Sequence, residues 1–313
     1  MITTLNIDFV GKKLYFAVLS TVLVVLSLGL IFTKGLNFGI DFSGGTLIEM
    51  RTHEDKTIDE VRTALTDSGL KSFSLQGYGD KNEFLVRISD KISDSDTAHE
   101  ITDKVGAELR RLEYVGPQIG KELAEKGILA TIFSLIAILI YVSARFQMRF
   151  AVGAVVALFH DVVLTLGIFV LTGKEFSLPV LAAVLTIIGY SLNDTIVVYD
   201  RIREDMTKTS DEDDQDETLF SKLINSSINS TLRRTLMTSF TTFIVLLALY
   251  MFGGKSINDF AFALLFGVAV GTYSSIFVAS PILVYLRGLA PKPRTEEEEA
   301  EDFSRFNAYD DEK

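Results

Sequence analysis

Four ionisable side chains interrupt long apolar runs in this sequence: His160, Asp161, Asp194 and Arg234. An ionisable group near the centre of a bilayer costs about 2.5–3.5 kcal/mol on insertion scales, so such groups face protein or water and tend to be functional. His160 and Asp161 stand midway along the apolar run 150–171. At about 1.5 Å of rise per residue this places them close to the midplane of a spanning helix. Gly153, Ala157 and Gly167 share a stripe with His160, and Ala154 and Thr165 share one with Asp161, which permits close helix contact. Two readings fit the pair: participation in ion or proton movement, or a static hydrogen-bonded link between helices.

Asp194 lies in TIIGYSLNDTIVVYDR, on a partly polar face with Thr186, Tyr190, Val197 and Arg201. It is about a turn and a half from the expected helix end at Tyr199, so a structural and a functional role are equally open. In TLRRTLMTSFTTF, Arg234 heads a hydroxyl stripe with Thr231, Thr238 and Thr241, continued by Val245. Arg233 aligns instead with Met237, Phe240 and Ile244, which suits a lipid-facing or snorkelling cation. The expectation is that Arg234 enters the bundle at the depth of Asp194 and pairs with it, supported by Asn193, Tyr190 and Thr238. A carboxylate held between desolvation and an opposite charge can take up and release a proton. The alternative is a static pair. Gly267 and Gly271, followed by Ser274 and Ser275, read as a helix-packing face.

These residues need spanning helices to position them. A membrane helix takes about 20 apolar residues to cross about 30 Å of hydrocarbon. Six stretches qualify: 14–32, 127–144, 150–171, 178–199, 236–252 and 260–286. The last is long enough to tilt or to bend at Pro281. The first is too long for a usual signal-peptide core and ends in no small-x-small cleavage pattern, so it reads as an uncleaved helix. The chain is 48% hydrophobic yet carries a net charge of −11, and the acid is concentrated in 211–217, 296–302 and the last few residues. Solvated loops and an acidic tail explain that balance, and no nucleic-acid partner is expected.

Lys and Arg fall on alternate loops. Lys12 and Lys13 precede the first helix, and Arg145 and Arg149 lie between the second and third. Arg201, Arg203, Lys208, Lys222, Arg233 and Arg234 lie between the fourth and fifth, and Arg287, Lys292 and Arg294 begin the tail. Both termini are therefore expected to be cytoplasmic, with 34–122 outside. The expected organisation is 1–33 (N-terminus and first helix), 34–122 (external domain), 123–288 (helices two to six) and 289–313 (acidic, disordered tail).

The external segment reads as a small α+β domain. Strands are expected at 46–51, 73–78, 83–88 and 113–115, and amphipathic helices at 57–68 and 98–112, with a hairpin through 79–82. This β-α-β-β-α-β order is the split ferredoxin-like pattern. Its His53 and His99 read as surface residues. With no Cys and three His in the chain, disulfides and a multi-histidine metal site are not expected. No nucleophile elbow, phosphate loop or paired-histidine motif suggests an enzyme.

Several motifs recur together in order: GLNFGIDFSGGT after the first helix, VGPQIGKEL before the second, HDV in the third, IGYSLNDTIVVYDRIRE in the fourth, RRTLMTSFTT entering the fifth and VGTYSSIFVASPI in the sixth. Spread over about residues 8–286, they resemble the SecF family of bacterial protein-export membrane proteins. The resemblance implies a polytopic α-helical membrane protein whose six helices form one half of an RND-type bundle, with a small ferredoxin-like periplasmic domain between helices one and two. It implies SecD as the other half, the SecYEG translocon, YajC and preproteins as further partners, and the bacterial cytoplasmic (inner) membrane as the site. It implies no cofactor, and H+ as coupling ion, with Na+ in some relatives. The family's transmembrane Asp and Arg, thought to serve proton movement, map onto Asp194 and Arg234, and its HD pair onto His160 and Asp161. The run DEDDQDE at 211–217 departs from the family's less acidic loop. Two other readings were weighed: an RND-type small-molecule or lipid exporter working as an oligomer, and a non-transporting scaffold for the translocon.

Overall fold

The computed structural model describes residues 7–70, 73–77, 81–88, 92, 94–208, 216–254 and 257–287. The tail beyond 288, residues 211–215 of the acidic run and residues 79–80 of the expected hairpin turn lie outside that set.

The chain opens with α1 (Lys13–Lys34), which carries no charge between its lysines. A short junction follows, β1 (Asn37–Phe38) and the single turn α2 (Ile40–Ser43). The domain then runs β2 (Gly45–Thr52), α3 (Ile58–Asp67), β3 (Phe73–Gly77), β4 (Glu83–Ile88), α4 (Ser95–Val105) and β5 (Ala107–Val115). Its sheet is antiparallel in the order β3-β4-β2-β5, the ferredoxin-like arrangement. Ile48, Met50, Val86 and Ile88 of the sheet pack against Val61, Leu65, Ala98 and Val105 of the two helices. A capping box starts α3, where the Thr57 hydroxyl accepts the Glu60 N–H and the Glu60 carboxylate accepts the Thr57 N–H.

One element differs from its sequence reading. The helix expected over 98–112 ends at Val105, and 107–115 is a strand. Gly106 takes the left-handed conformation (φ 70°, ψ 44°) that closes α4. Along β5 the register with β2 slips between Glu49 and Met50, so Arg110 is an extra residue opposite no partner. The slip turns the strand's alternation into Leu109 then Leu112, which continues the spacing of Ile101 and Val105 as a helix would.

The membrane portion follows: α5 (Pro117–Arg145), α6 (Met148–Thr172), the two-residue β6 (Glu175–Phe176), α7 (Leu178–Met206), α8 (Glu217–Phe252) and α9 (Asn258–Ser274). A π turn (Ser275–Ala279) joins α9 to α10 (Ser280–Tyr285). Among the described residues, six helical spans are long and apolar enough to cross a membrane. Two begin earlier than hydropathy suggests, α5 at Pro117 and α8 at Glu217, because their polar first turns continue the helix beyond its apolar part. The bend expected at Pro281 is a π turn just before it. Proline removes a backbone donor, and the Ser280 hydroxyl donates to the Ser275 carbonyl at 2.7 Å. Tyr199 likewise donates to the Ala279 carbonyl at 2.9 Å.

Helices α6, α7 and α9–α10 form the buried centre, while α1, α5 and α8 present most of their surface outward. The domain meets this bundle through the FSGG segment. Gly44 has φ 70° and ψ 174°, a region only glycine occupies readily. A Cβ there would stand 2.8 Å from the Pro117 Cα, and one on Gly120 would stand 2.9 Å from the Gly44 nitrogen. The junction is thus backbone against backbone. Gly44→Ala is expected to lose about 1–3 kcal/mol from strain and further stability from the clash. The check is the thermal unfolding midpoint in detergent, with Gly69→Ala, at φ 101° in open space, losing less.

Candidate functional site

Asp161 is fully buried in α6, and each of its carboxylate oxygens has a partner. Oδ1 lies 2.8 Å from His160 Nδ1. Oδ2 accepts from Ser191 of α7 at 2.5 Å and from Ser274 of α9 at 2.7 Å. One carboxylate therefore joins three helices. Close approach is built into α9, where Gly267 lies against Ile187 and Gly271 against Ser191, with no room at Gly267 for a Cβ. Ser274, expected only to pack, is a hydrogen-bond donor to this acid.

The His160 ring is buried and stacks on Tyr273 at 6.0 Å, and the Tyr273 hydroxyl meets Ser20 of α1 at 2.9 Å. A bond from Nδ1–H to a carboxylate leaves Nε2 as a lone pair, and among the described residues Nε2 has no hydrogen-bond partner. His160 also lines a cavity of about 520 Å³ between α1, α6 and α10. The dyad thus sets a buried imidazole directly beside the acid that joins the three helices.

Asp194 is buried on α7, one turn from Ser191. Its Oδ2 accepts from Ser239 of α8 at 3.3 Å. Ser239 in turn accepts from Thr272 of α9 at 2.7 Å and from Tyr190 at 3.4 Å. Two acid clusters thus share α7 and α9, at Ser191 and Asp194 on one helix and at Thr272 and Ser274 on the other. In each cluster the hydroxyls converge on one acid and so hold neighbouring helices together.

The pairing expected between Asp194 and Arg234 is not formed. Among the described residues no ion pair joins them, and Arg234 is exposed on the side of α8 facing away from the seam. Thr238 and Thr241 share that outward face, where their hydroxyls donate to carbonyls of their own helix. Asn193, expected as support for Asp194, is also exposed. The buried stripe of α8 is Ile224, Ile228, Leu232, Thr235 and Ser239. It is offset from the expected stripe by one residue, about 100° of helix rotation. The expected stripe follows the charge and hydroxyls from Thr231 on, whereas the inward face is set by Phe220, Ile224, Ile228 and Leu232 upstream. Ser239 and Ser191 escaped notice because a serine in an apolar run carries no charge to mark it.

Arg234 is five residues before Ser239, about 7.5 Å along the axis, so it stands within electrostatic reach of Asp194 but is turned outward. Ser191→Ala together with Ser274→Ala is expected to cost about 1–3 kcal/mol for each lost donor, because Asp161 Oδ2 would stay buried without a partner. Asp161→Asn, which can still bond to both hydroxyls, is expected to cost less. Unfolding of detergent-purified protein orders the variants.

Comparisons with known proteins agree with this architecture. The family description "Protein export membrane protein SecD/SecF, C-terminal" matches residues 95–288, and "SecD/SecF GG Motif" matches residues 29–56. The protein translocase subunit SecF of Magnetococcus marinus is 48% identical over 292 residues, covering 90% of this chain and 92% of that protein. The SecF of Calditerrivibrio nitroreducens is 45% identical over 295 residues, covering 91% and 95%. Among solved structures, SecDF of Thermus thermophilus, a translocon-associated membrane protein, superposes with a TM-score of 0.84 at 37% identity. That match covers 92% of this chain and 40% of the SecDF chain. A super-membrane-facing form of SecDF gives a TM-score of 0.65 at 35% identity.

Proposed function

Since the chain belongs to the SecD/SecF family of protein-export membrane proteins, we propose that it works with a SecD partner to couple the proton-motive force to preprotein movement. The observation that carries this reading is a buried acid seam beside an uncovered arginine face. An outward arginine in a spanning helix is costly against lipid. A second helical half laid over Arg234, Thr238, Asn193 and Thr186 removes that cost. In SecDF, of which this chain spans about 40%, the remaining length is available for such a half.

In this reading the membrane is the bacterial inner membrane, with both termini cytoplasmic and 34–122 periplasmic, which the Lys and Arg distribution supports. The domain then faces polypeptides leaving the SecYEG channel, and YajC is a further neighbour. Protons pass along the seam through Asp194, with His160 and Asp161 as a second loading point and H+ as the coupling ion. When Asp194 binds a proton, its attraction to Arg234 and its bond from Ser239 weaken, and α7 shifts against α8. One charge crossing the membrane potential supplies about 2.3 kcal/mol per 100 mV, enough to bias a two-state motion severalfold.

Asp194→Asn is expected to abolish gradient-dependent stimulation of export in membrane vesicles while assembly with SecD persists. Full stimulation in that variant overturns the proton role. Replacing the proton gradient with a sodium gradient in the same vesicles identifies the ion.

A further inference from the structure

The α+β domain is fastened to the bundle by a charged joint distinct from the acid seam. Arg87 of β4 reaches out of the domain, and its Nη2 meets Glu175 Oε2 at 2.8 Å. Its Nη1 donates to the Phe38 carbonyl at 2.7 Å and to Asn37 Oδ1 at 3.2 Å. The Arg87 and Glu175 side chains are only 16% and 14% exposed. Glu175 belongs to β6, which pairs in parallel with β1 and lies just before α7. A Cβ on Gly39 would stand 2.6 Å from Glu175 Oε1, so a residue other than glycine there would make the carboxylate shift.

The same place secures the ends of two helices. Asp41 accepts the N–H of Leu178 at 2.8 Å and so caps the first turn of α7. Lys174 pairs with Asp259 at 2.6 Å, and Asp259 also accepts the Glu175 N–H at 3.3 Å, which ties in the first turn of α9. Helices α7 and α9 are the two that carry Ser191, Asp194, Thr272 and Ser274. Burial, together with Asp259 and Asp41, pushes Glu175 above its ordinary carboxylate range, and Arg87 opposes that push. Arg87 is therefore what favours charge on Glu175 among acidic neighbours.

We propose that Arg87 and Glu175 are a positioning pair that holds the α+β domain to α7 as one moving body, so that a shift of α7 at the seam displaces the domain. The geometry makes the joint a strut: one guanidinium spans the domain, the β1 backbone and the β6 carboxylate, and nothing in it needs to open. The proposal rests on the proton-coupled reading for the origin of the helix shift, and its own content is mechanical.

The test uses the full complex with SecD in membrane vesicles. Arg87→Ala and Glu175→Ala are each expected to lower gradient-stimulated export at least tenfold. The chain has no cysteine, so Phe38→Cys with Phe176→Cys, residues directly opposite in the β1–β6 pair, places one defined disulfide across the joint. Oxidised, that pair is expected to restore export to the Arg87→Ala variant and to leave the otherwise native chain active; reduced, it restores nothing. Full export in Arg87→Ala overturns the proposal, as does an oxidised cross-link that blocks export or fails to rescue it. Amide hydrogen exchange gives a readout independent of protons. Exchange over 175–181 is expected to quicken at least tenfold in Arg87→Ala and to return to native under the cross-link. That outcome stands even if Asp194→Asn leaves export untouched, in which case the proton reading fails and the strut does not.

Discussion

A carboxylate inside a helix bundle must be satisfied by the neighbours of its own helix, because an unpaired buried acid has no water to turn to. Asp161 meets that demand with two hydroxyls from two other helices. The requirement fixes much else. Serine is short, so α7 and α9 must come close to α6 for Ser191 and Ser274 to reach. Gly267 and Gly271 allow that approach on α9, and Gly153 makes room for the Tyr199 hydroxyl on α6. The packing of the central helices is thus set by a polar constraint more than by apolar volume, as expected where lipid offers no hydrophobic drive to association.

The same constraint leaves some polar residues of this chain's spans without a buried place. Its centre satisfies its acids, yet Arg233, Arg234 and Asn193 lie outward on α8 and α7. A helix whose polar residues face both the core and the outside suits the place between two bodies that the proposed function gives it. That agrees with a family whose solved SecDF chain is two and a half times as long as the part this chain matches. Asp194 occupies the boundary: its hydrogen bond points into the seam, and the nearest uncovered cation stands on the outward side.

Most of the architecture was legible before any coordinates. The six spans follow from apolar length, and the ferredoxin-like domain from the order of its elements. What failed did so for local reasons. Residues 107–112 of β5 looked helical because the extra residue Arg110 shifted Leu112 into helical spacing. The face of α8 was misjudged because Arg234 and its hydroxyls marked a polar stripe, whereas the inward face is fixed by Ile224 and Ile228 upstream. The acids themselves were visible as charges in apolar runs. Their partners were not, since Ser191, Ser239 and Thr272 look like any small polar residue until three helices are brought together.

Helix α7 is the element on which these observations converge. Its first N–H is capped by Asp41, its preceding strand holds Glu175 against Arg87, and its middle carries Ser191 and Asp194. A rigid helix transmits displacement along its axis with little loss, because shortening it would break its own backbone hydrogen bonds. In the proposed function, a change in charge at Asp194 therefore has two outlets, the α8 interface through Ser239 and the domain through the joint. Helix α9 is bound to both the seam and the joint as well, through Thr272, Ser274 and Asp259. With α7 and α9 tied together at the domain-bearing end and again at mid-membrane, independent motion of either is the costly alternative. Within the proposed cycle, the freedom that remains is for the pair, with the domain attached, to move against α8 and whatever covers its arginine face.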